Sequence, residues 1–103
     1  MNLEWIKDKI ISGDYYFSKH ADNERQDDNL SFNEIEQAIL NGIIIEDYTD
    51  SGRGVSSLVA GFSNSGKPIH IVCGIRGNSL SIITVYIPTQ PKFANIFERN
   101  KND

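Results

Sequence analysis

The stretch Gly66-Lys67-Pro68-Ile69-His70-Ile71-Val72-Cys73-Gly74-Ile75-Arg76-Gly77-Asn78-Ser79-Leu80-Ser81-Ile82-Ile83-Thr84-Val85-Tyr86-Ile87-Pro88 decides how this chain folds. Two runs rich in β-branched and aromatic residues flank a Gly-Asn pair, which is the pattern of a hairpin. Side chains alternate faces along a strand, so His70 shares a face with Val72, and Thr84 with Tyr86. A two-residue Gly77-Asn78 turn pairs Arg76 with Ser79, and hence His70 with Val85. A three-residue loop or a single bulge instead sets His70 opposite Tyr86 or Thr84. The Gly74/Gly77 spacing is compatible with such a bulge. A slip of one residue turns every side chain to the other face, so both registers stand at this level.

Two further runs precede the hairpin. Ile43 to Tyr48 and Ser57 to Phe62 are separated by polar, glycine-containing breaks at residues 49–54 and 63–68. The four runs together predict an antiparallel meander, and Pro88 and Pro91 end it because proline cannot donate to a ladder.

Before residue 43 the period is helical. Leu3, Ile6 and Ile10 recur at helical spacing over residues 2–12, with Asn2 as N-cap and Gly13 as the stop. A short polar helix over residues 18–27 is capped by Ser18, and Tyr15-Tyr16-Phe17 reads as a core and helix-entry cluster. A third helix opens on Ser31 and Glu34, a capping-box pair, with Leu30 and Ile35 as a hydrophobic staple. It closes at Asn41-Gly42. The expected fold is α+β: three N-terminal helices packed on a four-stranded antiparallel β-meander. Residues 1–93 form one domain and 94–103 a polar C-terminal tail.

Composition sets bounds on function. The 103 residues are 39% hydrophobic and 23% charged, with a net charge of −4. Residues 1–50 hold twelve acids against four bases, a net of −8, and residues 51–103 hold six bases against two acids, a net of +4. The asymmetry fits a polyanion-facing side. The acidic total argues against tight, non-specific nucleic-acid binding. No apolar run approaches the roughly 18 residues of a membrane helix. The start lacks a secretory pattern, and the lone Cys73 allows no internal disulfide. A cytoplasmic protein with no membrane partner is expected.

The chemistry-bearing residues concentrate around two histidines. Histidine exchanges a proton near neutral pH, with an ordinary pKa of about 6.5. His20 and Glu24 lie four apart and share a helix face, flanked by Lys19 and Arg25. They read as an acid–base group oriented by a carboxylate with cations for a phosphate, as a partial metal site, or as a plain surface pair. The metal reading lacks third and fourth ligands, so no metal and no cofactor is expected. His70, Thr84 and Tyr86 join this set if the hairpin register allows. Lys67 is a cation at the entry to the third strand. Arg53 sits in the loop Asp50-Ser51-Gly52-Arg53-Gly54, which lacks Walker spacing and reads as a turn with one phosphate-capable cation. Cys73 has no basic neighbour to stabilise a thiolate and reads as structural.

Several segments taken in order carry a resemblance. They are Phe17-Ser18-Lys19-His20-Ala21, Leu30-Ser31, Ser57-Leu58-Val59-Ala60-Gly61-Phe62, residues 66–74, Ile82-Ile83-Thr84-Val85-Tyr86-Ile87-Pro88 and Pro91-Lys92-Phe93. The order resembles the bacterial domain-of-unknown-function 4258 family, itself similar to small toxins of the RelE and MqsR kind. His20, Ala21, Arg25, His70, Thr84 and Tyr86 match recurring family positions. Asp27-Asp28 stand where many members carry a further arginine. The resemblance implies a toxin–antitoxin role with a zinc-finger antitoxin-like partner. A metal-independent endoribonuclease is then expected, with His20 and His70 as acid and base, Arg25 and Lys19 stabilising charge, and Tyr86 positioning phosphate or donating a proton. Thr84, Arg53 and Lys67 would bind the RNA. The alternative is a non-catalytic module that binds an antitoxin-like or regulatory protein.

Overall fold

The computed structural model describes residues 1–49, 54–89, 93–95 and 97–99. Three helices come first: α1 (Leu3–Ser12), α2 (Lys19–Asp27) and α3 (Phe32–Leu40). A short strand, β1 (Tyr15–Phe17), lies between α1 and α2. Then follow β2 (Ile43–Tyr48), β3 (Ser56–Phe62), β4 (Pro68–Arg76) and β5 (Ser79–Tyr86). β6 (Phe93–Asn95) and β7 (Glu98–Arg99) form a separate two-stranded pair.

The main sheet is mixed and five-stranded, in the order β1-β5-β4-β3-β2. This corrects the expected four-stranded antiparallel meander. β2 to β5 do run antiparallel in sequence, but β1 adds to the outer edge of β5 in parallel, Tyr15 facing Leu80 and Phe17 facing Ile82. Tyr15-Tyr16-Phe17 is therefore a strand rather than only a helix entry. Three residues are too few to show a period, and the partner strand lies some sixty residues away.

Local chemistry explains the helix limits. Asn2 accepts from the Trp5 amide, and Gly13, at φ 74°, takes the left-handed turn that ends α1. Ser18 accepts from the Ala21 amide. Asn29, at φ 55°, lets the chain leave α2, with the Leu30 amide returning to the Arg25 carbonyl. Ser31 and Glu34 complete the capping box reciprocally.

α1 and α3 cover one face of the sheet. Ile6, Ile10, Ile35, Ala38 and Ile39 pack against Val59, Ile69, Ile71, Cys73, Leu80, Ile82 and Val85. Fully burying an aliphatic side chain of this size is worth about 1.5–3 kcal/mol. α3 meets β3 at close range, and glycine permits it. A Cβ on Gly61 would lie 2.0 Å from the Ala38 carbonyl oxygen.

α2 is placed differently. It runs along the outer edge of β5 beyond β1. Asp14 and Ser18 engage Leu80 and Ile82 through the backbone, and the Ser18 hydroxyl donates to the Ile83 carbonyl. Glu24 then accepts from the Val85 amide and Asp28 from the Ile87 amide. One continuous segment, strand then helix, thus satisfies the edge of β5.

Two outcomes follow. Gly61→Ala forces α3 off β3 and costs roughly 1–3 kcal/mol, read as a fall of about 5 °C or more in melting temperature; an unchanged melting temperature contradicts the close packing. Acid stability follows from three carboxyls that folding holds below their ordinary range. Lys9, then Ser79, lowers Asp14; Lys67, then the Ser31 amide, lowers Glu34; Ser57, then the N-terminal amine, lowers Asp47. A carboxyl lowered on folding stabilises at pH above its unfolded pKa of about 4, and that contribution is lost as pH falls through the folded value. Melting temperature should hold between about pH 7 and pH 5 and drop below about pH 4. A profile that stays flat or rises on acidification contradicts this.

Candidate functional site

The hairpin register settles where His70 points. Gly77, at φ 61°, sits first in a two-residue turn, and Arg76 pairs with Ser79. A positive φ at that position alone matches a type II′ turn. Ile83 then bulges: Val72 pairs with Thr84, but Cys73 pairs with Ile82. The turn and the bulge together set His70 directly opposite Tyr86. A Cβ on Gly74 would lie 2.7 Å from the Ile83 Cδ1, so glycine there gives the bulged side chain its space.

His70, Val72, Thr84 and Tyr86 therefore share the sheet face opposite the helices. His70 is fully buried, and its Nδ1 lies 3.2 Å from the Tyr86 hydroxyl oxygen, with the rings edge to face at 5.3 Å. Tyr86 and Thr84 are half-buried. Tyr86 has a phenol held at one end by a buried imidazole and a body that still reaches the surface.

His20 reaches the same strand from the other side. Its side chain is 69% exposed, and its Nε2 lies 3.2 Å from the Glu24 Oε1. The same Oε1 accepts from the Val85 amide at 3.1 Å. Val85 stands between Thr84 and Tyr86. A chain of contacts thus runs from His20 through Glu24 and the β5 backbone to Tyr86 and His70. The two histidines are brought to opposite sides of one strand, the first open to solvent and the second enclosed. Lys19, exposed, adjoins His20 at the start of α2.

Other candidates lie elsewhere. Arg25 is five residues beyond His20, about 140° around the helix. Its guanidinium stacks 3.9 Å from the Phe32 ring centroid, pairs with Asp22 at 2.7 Å and donates to the Leu30 carbonyl. It joins α2 to α3 and does not face His20. Lys67 pairs with Glu34 at 2.8 Å and donates to the Asn29 carbonyl. Arg53 lies outside the described residues. Among the described residues, no group of three or more His, Cys, Asp or Glu is placed to hold a metal ion. Every described buried side-chain nitrogen or oxygen has a partner.

Sequence reasoning did not foresee Glu24 and Asp28 as acceptors for strand amides. The signal was present: a nine-residue helix with three acids, a fourth at its C-cap Asp28, and one buried apolar residue, Ala21. Asp28, on the stretch where the family resemblance expects an arginine, holds the Ile87 amide.

Further along β4 and β5, an open groove of about 540 Å³ is lined by Val55, Val72, Gly74, Ile75, Arg76 and Ile83. Cys73 points the opposite way into the core, and burial pushes its thiol up to about 12. The folded protein should resist a thiol reagent at about pH 8, where a free cysteine of pKa about 8.5 reacts, and react only once unfolded. Fast labelling of the native protein contradicts the burial.

No curated protein and no solved structure shows a significant match. The model of one family, the domain of unknown function DUF4258, matches residues 17–87. That span opens at the end of β1 and includes α2, the bulged hairpin and every member of the contact chain from His20 to Tyr86. Because the match covers more than half of the sequence, the chain belongs to the DUF4258 family.

Proposed function

We propose that this protein is a toxin-like, metal-independent endoribonuclease of the RelE and MqsR kind, working at the seam between α2 and β5. The observation that carries the reading is the contact chain from His20 through Glu24 and Val85 to Tyr86 and His70. It links an accessible imidazole, through one carboxylate and one strand residue, to a phenol whose hydroxyl is held by a second imidazole.

RNA cleavage without a metal needs two proton transfers. In the proposed reaction His20 takes the proton of the 2′-hydroxyl. The 2′-oxygen bonds to phosphorus, the bond from phosphorus to the 5′-oxygen breaks, and Tyr86 supplies the proton that oxygen takes up. The products are a 2′,3′-cyclic phosphate and a 5′-hydroxyl. His70, being enclosed, does not touch RNA in this reading; it positions Tyr86. Lys19 supplies charge to the phosphorane, and Thr84 offers a hydroxyl to the phosphate. Arg25 takes no part, because its guanidinium is committed to Phe32 and Asp22.

A second reading, a module that binds a regulatory or antitoxin-like protein, is favoured by one feature: the groove beside Val55, Ile75 and Ile83, whose side chains stay exposed.

The test is cleavage of a structured RNA in excess chelator by the purified protein. Positioned acid–base groups contribute about 10²–10⁴-fold. His20→Ala and Tyr86→Phe should each lower the rate by at least roughly a hundredfold while the melting temperature stays within a few degrees. A 2′-deoxy substitution at the cleaved position should stop the reaction. No cleavage by the wild-type protein, or full activity in both variants, overturns the nuclease reading. Stable capture of a neighbour-encoded protein without RNA turnover would support the second.

A further inference from the structure

Glu24 does two things with one atom. Its Oε1 lies 3.2 Å from the His20 Nε2 and accepts from the Val85 amide at 3.1 Å. The carboxylate is only a quarter exposed, at 26%, while the imidazole it holds is 69% exposed. A surface ion pair of this spacing usually contributes little to stability. This one differs because its acceptor is also anchored to a strand amide sixty-one residues away. An amide left without an acceptor at a buried edge is costly, so the carboxylate has a fixed place. The imidazole inherits that place.

We infer that Glu24 is a positioning residue: by gripping the Val85 amide and the His20 Nε2–H together, it fixes the histidine to the strand that carries Tyr86 and leaves Nδ1 as the basic nitrogen. This rests on the proposed nuclease reading for its consequence, but not for its structural content. A neutral imidazole has one N–H and one lone pair. A carboxylate accepts only, so the nitrogen facing it carries the proton. The nitrogen that remains, Nδ1, is the one able to take a proton from a substrate hydroxyl. Ser18, which caps α2 and donates to the Ile83 carbonyl, holds the other end of the same seam. Asp28 holds the Ile87 amide one turn further on. The helix is thus pinned at three successive points, and the middle one holds the histidine.

The test compares Glu24→Ala with Glu24→Gln, since the amide oxygen of glutamine can still accept. In ¹⁵N-labelled protein at about pH 8.5, two units above the ordinary histidine pKa of about 6.5, two-bond proton–nitrogen spectra read the His20 tautomer. Hydrogen exchange reads the Val85 amide. The wild type should show His20 as the Nε2–H form and a protected Val85 amide. Glu24→Ala should let the Nδ1–H form appear and speed Val85 exchange by tenfold or more, and Glu24→Gln should restore both. If the nuclease reading holds, Glu24→Ala also lowers kcat by roughly tenfold to a hundredfold with little change in KM. It should have no further effect in the His20→Ala background. An unchanged tautomer and unchanged Val85 exchange in a folded Glu24→Ala protein overturn the inference. A wild type that shows this spectroscopic pattern yet cleaves no RNA overturns the nuclease reading alone.

Discussion

The outer edge of β5 is the constraint on which the rest of the molecule depends. A strand edge presents backbone donors and acceptors that must find partners or water, and an open one invites pairing with another chain. Here residues 14–28 meet that demand in sequence. Asp14 and β1 take the first part by parallel pairing. Where β1 ends, Ser18 turns the chain into α2, and the helix continues the edge with side chains: Ser18 on Ile83, Glu24 on Val85, Asp28 on Ile87. A helix with almost no apolar face is held because its carboxylates substitute for a missing strand. Its only buried residue is Ala21, so packing supplies little and hydrogen bonding supplies more.

The candidate site is a by-product of that arrangement. Residues that dock α2 on β5 necessarily bring the exposed side of the helix beside the strand's last residues. His20 comes with Glu24, and Tyr86 comes with Val85. On the other side of the strand, the bulge at Ile83 turns Thr84 and Tyr86 toward His70. Without it, alternation would place Val85 opposite His70 and bury Tyr86 among the helices. Two local irregularities, a helix replacing a strand and one extra residue in a ladder, thus bring two histidines that are far apart in the sequence to either side of a single strand.

Much of the fold was legible in the sequence, because its signals are local. Caps at Asn2, Ser18 and Ser31, stops at Gly13 and Gly42, and β-branched runs after residue 43 need only neighbours for their meaning. The hairpin turn at Gly77-Asn78 was readable for the same reason. β1 was not, since a three-residue strand is defined only by a distant partner. The register of His70 stood between two alternatives; the bulge at Ile83 resolved it, and Gly74, which makes room for it, was compatible with the bulge without requiring it. In the site, His20, His70, Thr84 and Tyr86 stood out as candidates by residue type, and the fold places them along β5 and its neighbours. Arg25 was misleading: four or five residues from a histidine along a helix can mean the same face or nearly the opposite one, and Phe32 offers its guanidinium a closer partner. That Glu24 and Asp28 also accept from strand amides was not legible, because no side-chain pattern reveals a backbone partner.

The proposed function requires RNA to bind where α2 and β5 join. The most direct measurement is an amide and methyl chemical-shift map with a short 2′-O-methyl oligoribonucleotide, which binds like substrate but cannot supply the attacking hydroxyl. Binding at this seam gives saturable shifts centred on Lys19, His20, Thr84 and Tyr86, with Arg25 and Phe32 unmoved. Shifts confined to the groove around Val55, Ile75 and Ile83, or none at saturating oligonucleotide, would contradict it.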